Sequence, residues 1–257
     1  MGVFLLVACL LVSLIAPAAR SQTVPAKKRV LAIGRSQGFQ HDSVSQALGT
    51  VWKLGQETGL WDTFIRTDTE LITKKKSQGN RKNLDYFDAI FFYTSGELEM
   101  TDEQKADFLA FIRDDGKGFV ATHSATDTFY KWPEYGELIG GYFDSHPWHQ
   151  SVRVNVEDRD STPTRHFPKS FEITDEIYQF RNYSRDNVHV LMSLDTSSVD
   201  LKKPNVHRTD GDFALTWTKQ YGKGRVFYSA LGHRESVWDR PDMQKMWLEA
   251  IKWSLGL

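Results

Sequence analysis

Apolar residues arrive along the chain in blocks that obey two different spacings. Arg29-Val30-Leu31-Ala32-Ile33-Gly34 is a continuous apolar run closed by glycine, the pattern of a strand buried on both faces. From Ser43 to Thr58 the apolar positions Val44, Leu48, Val51 and Leu54 fall at helical spacing, and Gly59 marks the stop. Trp61 to Arg66 and Tyr86 to Tyr93 predict two further strands, the second rich in aromatic and β-forming residues. Thr101 with Gln104 forms a capping box and opens a helix to about Asp114, with Phe108, Leu109 and Ile112 on one face. Gly116-Lys117-Gly118 ends that helix and leads into a strand from Phe119 to Thr122. Strands alternating with helices imply βαβ units and a mainly parallel sheet.

The later pattern is less regular. Val152 to Val156, Val188 to Leu194, Phe213 to Thr218 and Arg225 to Ala230 predict strands. Gly222-Lys223-Gly224 joins the last two as an antiparallel hairpin. Asp242 to Leu255 predicts a closing helix that buries Met243, Met246, Trp247, Ala250 and Ile251. No linker, repeat or low-complexity tract interrupts the stretch, so 29–257 reads as one domain.

The N-terminus follows neither spacing. Val3 to Ala16 is an uncharged apolar run, too short and too close to the N-terminus to read as a membrane span. Ala19 and Ser21 then supply the small-residue pattern of a cleavage site. Residues 1–21 therefore read as a signal peptide and 22–28 as a tether. The expectation is an exported protein, periplasmic or secreted, with no membrane attachment after processing. An uncleaved anchor is the rival, because no Lys or Arg precedes the apolar run. The one cysteine, Cys9, lies in this segment. A processed chain would have no disulfide, no thiolate ligand and no cysteine nucleophile.

Composition narrows the partners. With 32 Lys+Arg against 33 Asp+Glu, the chain lacks the basic excess of an electrostatic nucleic-acid binder. The eight Trp residues have two readings, as stacking surfaces for a ring-bearing ligand or as core.

Chemistry concentrates where the predicted parallel strands end. Ligands of open α/β sheets sit beyond the carboxyl ends of the strands. That rule selects Arg35 to Asp42, Thr94 to Glu97, His123 to Asp127 and Leu231 to Arg234. Three of these segments hold a histidine: His41, His123 and His233. His146-Pro147-Trp148-His149 is a weak metal signal, since the proline argues against one helix presenting both imidazoles. His189 falls inside a predicted strand and reads as structural, while His166 and His207 read as solvated loop residues. Val120 to Ala125 has the outline of a nucleophile elbow without its flanking glycines, so Ser124 reads either as a nucleophile or as a helix cap.

Several ordered segments resemble the ThuA-like, or trehalose-utilisation, family. They are Gly38-Phe39-x-His41-Asp42-Ser43, Gly116-Lys117-Gly118-Phe119-Val120-x-x-His123-Ser124-Ala125 and Trp132-Pro133-x-Tyr135-Gly136-x-Leu138-Ile139-Gly140-Gly141-x-Phe143-x-x-His146-Pro147. Asp175-Glu176-x-Tyr178, His189-Val190-Leu191, Tyr221 to Tyr228 and Leu231-Gly232-His233 continue the series. The resemblance implies a flavodoxin-like three-layer sandwich of the class I glutamine-amidotransferase-like type, with a mainly parallel sheet. Amidotransferases of that type carry a cysteine at the elbow; Thr122-His123-Ser124 stands there, so glutaminase chemistry is not expected. The family is linked to sugar catabolism, including 3-keto derivatives of disaccharides.

The leading expectation is acid–base chemistry on a sugar or oxidised glycoside by His41, His123, His146 and His233, with Glu97, Asp127 and Glu176 as acids. Trp132, Tyr135, Trp148 and Trp238 are the expected stacking rings. Arg35, Arg234 and Ser124 are expected to contact substrate oxygens. Two rivals stand beside it. One is a divalent ion such as zinc held by the same four histidines. The other is a non-catalytic carbohydrate-binding or scaffolding domain.

Overall fold

The apolar blocks near residues 29 and 119 become inner strands of one sheet. The computed structural model describes residues 1–3, 26–76, 79 and 82–257. The expected signal peptide, its cleavage site and Cys9 lie in 4–25, outside the described residues. Strand β1 (Lys28–Ile33) takes up the last residue of the expected tether. It pairs in parallel with β2 (Trp61–Arg66) on one side and β3 (Ala89–Phe92) on the other. Beyond β3 come β4 (Gly118–Thr122) and then β9 (Gly224–Ser229), both still parallel. β3 is shorter than its aromatic run suggests, because Leu84–Tyr86 forms a single 3-10 turn.

From β9 onward every pairing is antiparallel: to β8 (Ala214–Tyr221), then β7 (His189–Leu194), then β5 (Tyr142–Val156) and β6 (Ser170–Arg181). The nine-stranded order is β2-β1-β3-β4-β9-β8-β7-β5-β6. The expected β8–β9 hairpin is present, and Gly222 takes the positive φ of +58° that its tight turn needs. The antiparallel part nevertheless extends far beyond that hairpin.

Helices cover both faces. α1 (Val44–Thr58), α4 (Glu235–Asp239) and α5 (Pro241–Leu255) pack together on one side. There Phe91 and Phe227 meet Trp238 and Trp247. α2 (Asp102–Arg113) and α3 (Pro133–Ile139) lie on the other, where Phe108 packs against Phe92, Phe119 and Tyr135. The capping box of α2 is formed as its sequence predicts. None of the helices among the described residues is long and apolar enough to cross a membrane.

The β5–β6 hairpin positions the site. Only Val154–Val156 of β5 pair with β7, whereas β5 pairs with β6 from Tyr142 to Asn155. The free end of the hairpin returns to the carboxyl end of β4, where Tyr178 reaches His123. Sequence reading found only Val152–Val156 and missed β6 entirely. The missed stretch carries Pro147 and several polar residues, and two register shifts around it break the simple alternation.

Candidate functional site

His123 follows β4 directly and is fully buried, with a positive φ of 44°. That backbone region is sparsely populated for residues other than glycine, and strain of this kind gathers at functional positions. The His123 Nδ1–H donates to the Ala230 carbonyl at 2.7 Å. A carbonyl can only accept, so this bond fixes the tautomer and leaves the Nε2 lone pair directed into the site.

Around that lone pair stand the Tyr178 hydroxyl at 3.0 Å, His233 Nδ1 at 3.1 Å and Glu176 Oε2 at 3.2 Å. His233 Nδ1 is also 3.1 Å from Glu176 Oε2. Tyr178 and Glu176 are two apart on β6 and so share a face. His233 rides on the turn after β9, which the buried Asp175 carboxylate holds by accepting from the Gly232 and Arg234 N–H groups at 2.7 and 3.2 Å. Gly232 has φ +123°, and a side chain there would press on the Trp238 ring. His41 completes the group from the β1–α1 loop, its ring 4.7 Å from that of His123 and 5.2 Å from that of His233. The buried His41 Nδ1 has no hydrogen-bond partner.

On the outer side, His149 Nε2 lies 3.0 Å and His146 Nδ1 3.6 Å from Glu176 Oε1. Electrostatics sort these groups. Burial, with His123 and His233 close by, lowers His41 to about 3, so it is neutral at physiological pH. Burial alone would raise the Glu176 carboxyl, but the adjoining His123 and His233 imidazoles outweigh it and hold the group well below the usual carboxylate range. Burial opposes protonation of His233, yet its contact with Glu176 raises it. Burial lowers His149 and raises Asp127.

His41, His123, His233 and Glu176 each offer a ligand atom, and all four atoms lie within 4.8 Å of one another. Neutral imidazoles with one carboxylate are a donor set suited to zinc or a similar divalent ion. Ligands about 2.0–2.1 Å from a tetrahedral ion would stand roughly 3.3 Å apart. The triangle of 3.1–3.2 Å between His123, His233 and Glu176 is close to that edge. The unpartnered His41 nitrogen fits the same reading.

Other expected residues fall elsewhere. Asp127 lines the crevice beside His41, His146 and Glu176, and accepts from the Tyr130 hydroxyl at 2.6 Å. Glu97 is exposed and accepts from the Lys131 N–H, away from the histidines. Arg35 lines a separate depression with Asp68, Glu70 and Glu99. Arg234 is exposed at the rim beside Phe39 and His233. The buried Ser124 Oγ has no hydrogen-bond partner, and both His123 nitrogens are directed elsewhere, so no nucleophile–base pair forms there. Trp132, Tyr135, Trp148 and Trp238 are core residues with at most 7% exposure, and none offers a free ring face. Trp148 and Trp238 also spend their indole N–H on the Asp200 and Gly232 carbonyls.

Sequence reading assigned no role to Phe39, which is 65% exposed at the mouth, its ring 4.7 Å from that of His41. It also missed His149, because strand geometry and a bulge achieve what a proline-broken helix would not. Tyr178 and Asp175 went unassigned beside Glu176 within one quoted motif. His189 is exposed, not a buried strand residue, and bonds Asp158 at 2.7 Å. His207 pairs with Asp144, and the half-buried His166 Nε2–H donates to the Asp242 carbonyl.

Comparison with known proteins bears on the whole described domain. The sequence model of the ThuA family, described as trehalose utilisation, matches residues 29–254. No curated protein matches. Among solved structures, a putative ThuA-like protein from Bacteroides uniformis is 22% identical, with a TM-score of 0.74 over 92% of this chain and 95% of that one. A second, from Parabacteroides merdae, is 18% identical, with a TM-score of 0.66 over 90% of each chain. A β-galactosidase from Bacillus circulans is 12% identical, with a TM-score of 0.54 over 90% of this chain but 31% of that one. These likenesses show the fold alone. Because the family match spans nearly all of 29–257, the chain belongs to the ThuA family of trehalose utilisation, with the carbohydrate-related role which that family carries.

Proposed function

We propose that this protein is an enzyme that binds a divalent cation between His41, His123, His233 and Glu176 and acts there on a sugar or 3-keto-glycoside. One observation carries the reading. With the Nδ1 proton of His123 committed to Ala230, its Nε2 lone pair, His233 Nδ1 and Glu176 Oε2 face one another within 3.2 Å. Such a cluster needs a shared positive charge. When bound, a cation supplies a Lewis acid for a carbonyl or hydroxyl oxygen.

The remaining parts come from the chain. Phe39 offers an exposed ring at the mouth for an apolar sugar face. Asp127, raised by burial, can exchange a proton with a substrate hydroxyl. The inner crevice holds about 100 Å³, room for roughly three waters, so a disaccharide would lie across the mouth with one substituent inserted.

A second reading rests on the His233–Glu176 contact, which favours an imidazolium–carboxylate pair able to shuttle a proton without metal. The test is elemental analysis of protein purified without chelator, with turnover of a keto-glycoside panel before and after chelation. The cation reading expects bound metal, loss of turnover on chelation and recovery on re-addition. Metal-free protein with full turnover transfers the chemistry to the histidine–carboxylate pair. Binding without turnover leaves a carbohydrate-binding domain. Export of the chain is proposed on the apolar run and small-residue pattern before residue 22, and N-terminal sequencing that begins at Met1 would refute it.

A further inference from the structure

We infer a second cation position, formed by His146, His149 and the outer oxygen of Glu176, so that this one carboxylate bridges two metal ions. The inference rests on the cation reading above and adds a site to it. Glu176 divides its two oxygens: Oε2 faces His123 and His233, and Oε1 faces His149 at 3.0 Å and His146 at 3.6 Å. His146 Nδ1 and His149 Nε2 are 2.8 Å apart, and with Glu176 they form a second group whose ligand atoms all lie within 4.8 Å of one another.

The backbone is shaped for this. Residues three apart on a regular strand point to opposite faces. Between Ser145 and Trp148, however, β5 advances three residues while β6 advances two, from Gln179 to Ile177. The extra residue makes a bulge in the His146-Pro147 stretch, and His146 and His149 both end beside Glu176 Oε1. Bulges re-aim side chains in this way next to active sites. His149 stands directly opposite Glu176 in the strand register.

The two positions differ in kind. The inner one offers four protein ligands, three of them buried. The outer one offers three, and both of its histidines are 45% exposed. Three protein ligands with an open side are the arrangement of a catalytic position that water or substrate completes. Ions sharing one carboxylate stand about 3.5–4 Å apart, a separation that lets adjacent substrate oxygens be held one on each ion. A keto group with a neighbouring hydroxyl, as in a 3-keto-glycoside, presents such a pair of oxygens.

The test uses the processed full-length protein, stripped with chelator, then titrated separately with Zn²⁺ and Mn²⁺. The inference expects two cations per chain for wild type, the second bound more weakly, and one for His149→Ala with folding retained. Two manganese ions at this spacing should also give an exchange-coupled electron paramagnetic resonance signal in wild type, which needs no variant. Glu176→Gln should abolish the outer site and weaken the inner one. One cation per chain, unchanged in His149→Ala, overturns the second position and leaves the single-cation reading standing. No cation overturns both. A weak second ion that survives Glu176→Gln, without magnetic coupling, is adventitious binding to surface imidazoles and also overturns the bridge.

Discussion

Phe39 and Trp238 show how exposure separates rings that composition cannot. Trp238 is fully buried, stacks on Trp247 at 4.7 Å and donates to the Gly232 carbonyl beneath the His233 turn. Phe39 is solvent-facing at the mouth. Phe39→Ala should therefore raise KM for a glycoside while leaving stability within about 0.5 kcal/mol, as exposed substitutions usually do. Trp238→Ala should cost about 3–5 kcal/mol in chemical denaturation, whatever it does to turnover. The reverse pattern would return Trp238 to the binding surface. The histidines were legible in part for the same physical reason. His41, His123 and His233 stand at strand ends, which topology alone marks, whereas exposed His189 and half-buried His166 differ only in surroundings that no local pattern encodes.

At the level of elements, the parallel strands were readable because both faces are covered and each becomes an unbroken apolar run. β5 and β6 were not, since buried Asp175, Glu176 and Gln179 look like surface residues until their partners are known. Asp175 makes the point testable. Its carboxylate satisfies two N–H groups of the turn that carries His233, joining β6 to the end of β9. Asp175→Ala should leave the buried Gly232 N–H without an acceptor, at a cost of about 1–3 kcal/mol. The variant should also lose cation affinity, because His233 is no longer held. Unchanged affinity in titration would show that the turn keeps its shape unaided.

Across the whole molecule, the residues of the centre come from β5 and β6 and from the segments that follow β1, β4 and β9, so the site draws on most of the sheet. A cation that binds the folded chain alone must then stabilise all of it. At a free concentration near 100 times Kd, the gain should be about 2.7 kcal/mol, read as a rise in Tm that chelator reverses. That gain should fade as pH falls through the range where His233, raised by its contact with Glu176, takes up the proton that competes with a cation. An acid-side effect independent of metal comes from Asp88. Burial opposes its charge, but Lys117 and the Arg29 N–H hold its carboxyl below the usual range. A depressed folded value stabilises above the ordinary carboxylate pKa and is lost as pH falls through the folded one. Asp88→Asn should consequently flatten the loss of Tm below about pH 4. A slope equal to wild type would remove Asp88 from that role.

The pairing of His149 with Glu176 across the hairpin has a consequence for how this family can vary. Their connection, 157–169, lies at the opposite end of the two strands, so its length can drift through insertion and loss without moving the centre. A change of one residue within either strand, between that connection and the pair, is another matter. It would slide Asp175 or Ile177 into the place facing His149, and every side chain beyond would exchange inside for outside. The carboxylate is thus kept in place by counting along two strands, and related sequences should tolerate gaps on one side of it and almost none on the other.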